Sequence, residues 1–289
     1  MRWRDMRRSD NVEDRRGMSM GGAGIKVGGG MLLVVLLVSV LTGTNPLDLI
    51  GGLEQSIEET GPPPGSDVGP GRQPPAEDKQ ADFVRAVLGD VEDTWGRIFS
   101  QGGGTYEPPR LVLFSGAVQS ACGQASSAVG PFYCPPDRQV YLDLQFFREL
   151  SERFGAPGDF ARAYVMAHEV GHHVQNLLGT ADRVHRQRAR MDKASANALS
   201  VRLELQADCY AGVWGHSAAR RNILEPGDVE AALAAATAIG DDRLQRQTRG
   251  FVVPESFTHG SSAQRVRWFR AGLESGDVKR CDTFASGQL

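Results

Sequence analysis

The chain has 289 residues, of which 40% are hydrophobic and 23% charged, with a formal net charge of −3. That is ample apolar material for a core, and it lacks the basic surplus of a phosphate-binding surface. Residues 76–289 carry 24 Lys and Arg against 26 Asp and Glu, which argues against nucleic acid as a partner.

Taken in chain order, residues 1–26 hold six Arg and one Lys against four acids, without apolar periodicity. They read as a disordered basic tail. Residues 27–47 follow with 21 positions free of charge. A helix of that length spans roughly 30 Å, about one hydrocarbon core, and no Ala-x-Ala-like cleavage site follows it. The expectation is an uncleaved single-pass transmembrane helix, with the basic N-terminus in the cytoplasm and the remainder outside. Residues 48–75 read as a flexible linker, since ten of the fifteen positions from Gly61 to Pro75 are Gly or Pro. The folded domain is expected over residues 76–289.

Within that domain, Phe83, Val84, Val87, Leu88, Val91, Trp95 and Ile98 recur at helical spacing. Arg110 to Phe114 and Gln139 to Leu144 read as strands, with a strand and turn between them. The second could be a sheet edge that receives an extended peptide, or a central strand. Helical patterns dominate afterwards, over 159–178, 196–221, 228–239 and 263–273. A small sheet followed by packed helices is an α+β arrangement. Four cysteines outside a membrane suggest two disulfides, most simply Cys122–Cys134 and Cys209–Cys281.

The chemistry concentrates in "AHEVGHHVQN". His168 and His172 stand four residues apart on one helical face, where two imidazoles can grip one ion. Glu169 lies about 100° around from His168, suited to act as base toward a water that zinc makes more acidic. The bland alternative is a helix with a polar face. On a second helix, Glu204 and Asp208 share a face among apolar neighbours, a costly placement unless something cationic meets them. Glu204 can ligate while Asp208 accepts a proton from the far nitrogen of a ligating histidine. Spacing alone leaves the reverse assignment open.

"AHEVGHHVQNLLG", "RLELQADCYAGVW", "SFTHGSSAQRVRWF", "SACGQASSAVGPFYCP" and "VYLDLQFF" together resemble the bacterial family of putative neutral zinc metallopeptidases. The resemblance covers most of residues 76–289. It implies a zincin-type domain behind one N-terminal membrane segment. His168 and His172 become zinc ligands by that likeness, and Glu169 the catalytic base. The Glu-x-x-Ala-Asp pattern also resembles gluzincins related to CAAX-prenyl proteases, which implies Glu204 as third ligand and Asp208 as its supporting partner. Their membrane-spanning core is absent, so their substrate class does not carry over.

His259 precedes a helix whose start, Ser261 and Gln264, has a capping-box pattern. "THGSSAQRV" resembles the Thr-His-Pro segment of those gluzincins, and a histidine there could donate to an oxyanion. Arg265 could pair with a carboxylate or with that oxyanion. His173 reads as a residue that supports a ligand or packs, His216 as structural or exposed, and His185 as part of a solvated cationic face. The expected function is a membrane-anchored zinc metalloendopeptidase of the bacterial cytoplasmic membrane, with an extracytoplasmic domain and peptide or protein substrates. The competing readings are a non-catalytic binding module in which zinc pins two helices, and a zinc hydrolase of a non-peptide substrate.

Overall fold

The computed structural model describes residues 1–18, 72–75 and 77–285. The expected anchor at 27–47 and most of the linker lie outside the described residues. Among the described residues, no helix is long and apolar enough to cross a membrane. Met1–Gly17 and Arg72–Leu289 form one compact unit.

Its sheet has the order β1-β2-β6-β5. The strands are β1 (Val12–Asp14), β2 (Arg110–Phe114), β5 (Phe132–Cys134) and β6 (Gln139–Asp143). β1 pairs parallel with β2, β2 parallel with β6, and β5 antiparallel with β6. The strand of "QVYLDL" is therefore central, and the short β5 holds the edge. β3 (Ala117–Ser120) and β4 (Gly123–Ser126) form a separate hairpin that the Ser- and Gly-rich sequence hid. It is held to the sheet by Asp143, which accepts from Gly116 N–H at 3.0 Å and Ser127 Oγ at 2.5 Å. The Cys122–Cys134 disulfide closes this lobe.

The reading of residues 1–26 as a disordered tail needs correction for its first seventeen residues. Arg7 and Arg8 are matched to acids on α1 (Lys79–Gln101), Arg16 to the Asp78 that caps it, and the polarity of the segment reflects docking. Arg8 grips both oxygens of Asp82 at 2.7 Å. Arg7 meets Glu92 at 2.7 Å, and Arg16 meets Asp14 and Asp78 at 2.7 Å each. Glu92 also accepts from Ser9 and Asn11. Gly89 lets this segment lie against α1, because a Cβ there would stand 2.6 Å from the Arg7 carbonyl oxygen. Three strand residues are too few for an alternating signal, so nothing periodic marks the segment. The folded domain thus begins well before residue 76.

Seven more helices complete the described residues. They are α2 (Gln145–Glu152), α3 (Asp159–Leu177), α4 (Thr180–Arg188), α5 (Lys193–Arg220), α6 (Asp228–Ala238), α7 (Asp241–Arg249) and α8 (Ser262–Ser275). The architecture is mixed α+β, as expected. α8 begins with the anticipated capping box of Ser261 and Gln264. α5 and α8 touch backbone to backbone, since a Cβ on Gly272 would meet the Cys209 carbonyl oxygen at 2.0 Å. Cys209–Cys281 ties α5 to the C-terminal segment, so both expected disulfides are present.

Candidate metal centre

The site is built where α3 crosses α5. A Cβ on Gly171 would come within 3.0 Å of the Ala207 carbonyl oxygen, so the missing side chain sets the closeness of the two helices. His168 and His172 stand three before and one after Gly171, and Glu204 and Asp208 stand likewise about Ala207. The crossing therefore sets one pair against the other. His168 Nε2 lies 3.2 Å from one Glu204 oxygen, and His172 Nε2 lies 3.4 Å from the other. The donor atoms of His168, His172 and Glu204 all fall within 4.8 Å of one another.

The far nitrogens of both imidazoles are occupied. His168 Nδ1 faces Asp208 Oδ1 at 2.8 Å, and His172 Nδ1 faces Gln175 Oε1 at 2.9 Å. A carboxylate or amide oxygen there selects the tautomer that leaves Nε2 free to bind a metal. Asp208 is fully buried and receives Tyr164 Oη at 2.6 Å and the Arg265 guanidinium at 2.9 Å on both oxygens. Gln175 is held by donating to the Leu203 carbonyl at 2.6 Å. Tyr164 and Gln175 escaped the sequence reading. Each sits one helical turn from a histidine on α3, at a spacing that could have found them.

Electrostatics point the same way. Burial pushes the Glu204 carboxyl up, yet His172 and His168 outweigh it and hold it well below the usual range. Burial works against a charged His168, but Asp208 wins and raises it to about 10. Burial likewise opposes charge on His172, and Glu204 raises it. Burial also raises Asp208, which Arg265 and His168 overcome to leave it lowered. A buried cluster that draws protons onto two imidazoles is one a cation can enter by displacing them. Two imidazoles and one carboxylate form a donor set that zinc accepts, so these residues fit the metal.

Glu169 behaves differently. It is 8% exposed, and burial raises its carboxyl. It lies on the same cavity of about 580 Å³ as His168, His172 and Glu204. His259 also lines this cavity, exposed, with Nδ1 3.2 Å from Asp241 Oδ1. The hydrogen bond to Asp241 raises its pKa. Asp241 also accepts the backbone N–H groups of Thr258, His259 and Gly260, and so shapes the whole loop. That role was not legible, because Asp241 reads only as a first-turn helix acid.

The remaining histidines lie apart. His173 is buried between the Glu107 carbonyl at 2.6 Å and Tyr133 Oη at 3.0 Å, and burial lowers its pKa. His216 faces the Leu273 carbonyl at 2.8 Å. His185 is exposed. Arg265 is spent on Asp208.

The family model for putative neutral zinc metallopeptidases matches residues 1–284. The chain belongs to this family. The uncharacterized protein YpfJ of Escherichia coli K12 is 50% identical over 292 residues, covering 98% of this chain and 99% of its own. The uncharacterized proteins Rv2575 of Mycobacterium tuberculosis H37Rv and Mb2605 of Mycobacterium bovis are each 50% identical over 195 residues. Those matches cover 64% of this chain and 65% of theirs. No solved structure matches the chain. Membership of the neutral zinc metallopeptidases implies zinc as cofactor and proteins or peptides as substrates.

Proposed function

We propose that the protein is a zincin-like metalloendopeptidase in which His168, His172 and Glu204 hold zinc and Glu169 is the general base. The observation that carries this reading is the convergence of three ligand atoms beside a buried Glu169 on the floor of one cavity. Zinc, when bound, supplies Lewis acidity, polarising a carbonyl and making a water more acidic.

The chain's own residues do the rest. Glu169 takes a proton from the attacking water as the oxygen joins the scissile carbonyl carbon. As the C–N bond breaks, Glu169 gives that proton to the leaving nitrogen. Its burial suits both duties, since a raised carboxyl moves closer to neutral pH. Asp208, clamped by Arg265 and Tyr164, orients His168, and Gln175 orients His172. His259, steadied by Asp241, donates to the oxyanion. A metal that merely pinned two helices would need neither the open cavity nor a carboxylate left buried beside the ligands.

Two disulfides support an extracytoplasmic domain, because such bonds persist outside the reducing cytosol. Residues 1–17 and 72–285 belong to one folded unit, and the expected anchor at 27–47 lies between them, outside the described residues.

The test compares zinc content and peptide hydrolysis of the full chain with those of its Glu169→Gln variant. A fragment starting at residue 76 is unsuitable because it lacks β1. One zinc per chain in both proteins, with turnover lost only in the variant, is the expected result. Equal turnover by the two proteins would overturn the reading.

A further inference from the structure

The cavity lining mixes two chemistries, and the active-site assignment leaves its apolar residues unused. On α3, Val165 lies one turn before Glu169 on the same face, about 6 Å along the axis, and it lines the cavity. α2 turns Phe147 into the core and its neighbour Phe146 toward the cavity. Phe154, just past the end of α2, adds a second ring with its centroid 6.4 Å from that of Phe146. Ile239 and Leu244 come from the end of α6 and from α7. These last four side chains are each half-buried. Arg153 sits over the Phe154 ring at 5.4 Å, leaving its charge in solvent.

A group of half-buried apolar side chains facing one cavity is unfavourable in water, and covering it with apolar surface recovers that free energy. Zinc does not cover it, and neither does a water molecule. The occupant that fits is a side chain of the substrate. We propose that Val165, Phe146, Phe154, Ile239 and Leu244 form a subsite beside the scissile bond that selects a bulky apolar residue such as Phe or Leu. This deepens the peptidase reading and rests on it. Val165 sits one turn from Glu169, so the selected residue adjoins the cleaved bond. The backbone around it is then held by the catalytic residues.

The test uses capped Gly/Ser hexapeptides that differ at one central position, carrying Phe, Leu, Ala, Asp or Lys. Their dissociation constants are measured by calorimetry on the zinc-loaded full-length Glu169→Gln variant, which binds without turnover, and the wild type is assayed for cleavage. Phe and Leu peptides should bind at least about tenfold tighter than Ala, Asp or Lys peptides, as expected for burying a large apolar side chain. In the Glu169→Gln background, Phe146→Ala should shrink the Phe-to-Ala ratio at least about threefold with zinc content unchanged. Leu244→Ala, on a different helix, gives the same readout if Phe146→Ala does not fold.

Equal binding of all five peptides, binding of none, or a ratio that neither variant changes would overturn the subsite. Cleavage beside the variable residue with the same preference supports subsite and peptidase together. Preferential binding without wild-type cleavage keeps the subsite and removes the peptidase. Cleavage without preference does the reverse.

Discussion

Two clusters of buried polar side chains in this molecule have similar ingredients and opposite states. Around Glu92, every acceptor is matched: one oxygen meets Arg7, and the other takes Ser9 and Asn11. Around Glu204, two imidazole nitrogens and a carboxylate turn toward one point, with burial opposing every charge there. The first cluster is closed and holds the N-terminal segment in place. The second is open toward a cavity, and its ligand atoms are close enough together to share a cation. A buried charge enclosed by its partners is a structural device, whereas imidazoles and a carboxylate that converge beside a cavity form a donor set a cation can enter.

The comparison breaks most visibly at the open cluster. Glu204→Gln replaces an anionic oxygen among the donors with a neutral amide, and stoichiometric zinc binding should be lost. Asp208→Asn should keep zinc but weaken it by about 10- to 100-fold, because it only orients His168. Metal titration of both variants at one pH checks the pair, and the opposite order would exchange the two assignments.

Glu169→Gln comes next. It should retain zinc and lose roughly 10²- to 10⁴-fold in turnover, the usual worth of a positioned proton-transfer group. Metal analysis and kinetics on one preparation separate this result from misfolding.

The closed cluster should answer with stability alone. Glu92→Ala leaves Ser9 and Asn11 without their acceptor and should cost about 1–3 kcal/mol, seen as a lower Tm. Zinc affinity should not move. A fall in zinc affinity as large as that of Asp208→Asn would erase the distinction between the clusters.

The smallest effect is acid sensitivity of the N-terminal segment. Arg8 lowers the Asp82 carboxyl, and Asp14 and Asp78 are lowered despite burial by their contacts with Arg16 and nearby backbone N–H groups. A lowered folded-state pKa contributes stability that is complete above the unfolded value, about 3.9. That stability is lost as pH falls through the folded values. Protection factors of residues 1–17, with the intrinsic pH dependence of exchange divided out, should therefore be flat from pH 5 to 8 and fall, relative to the helical core, below about pH 4. Protection that begins to fail near neutrality would contradict these contacts.

What sequence made legible follows from where the information sits. His168, Glu169 and His172 fall within five positions of one helix, and helical geometry alone places them. Glu204 and Asp208 were readable because carboxylates amid apolar neighbours demand a partner. The hold of Asp241 on the His259 loop spans 17 to 19 residues, and no periodic pattern encodes it. Residues 1–17 misled for a physical reason: Arg8 and Arg7 find their acids 74 and 85 positions along the chain, so locally the segment resembles a solvated tail. The α1, α3 and α5 helices announced themselves through apolar spacing, whereas the β3–β4 hairpin of Ser, Gly, Gln and Ala residues did not.

The clamp on Asp208 bears on the order in which the chain becomes competent. Its counter-charge, Arg265, lies 57 residues downstream, and Cys281, which secures the neighbouring Cys209, lies 72 residues from its partner. Contacts this distant form late, because loop closure precedes any reward from them. A chain emerging from its N-terminus can thus display both histidines and Glu204 while Asp208 still lacks its guanidinium. The brace that orients His168 is completed only when nearly the whole polypeptide is available.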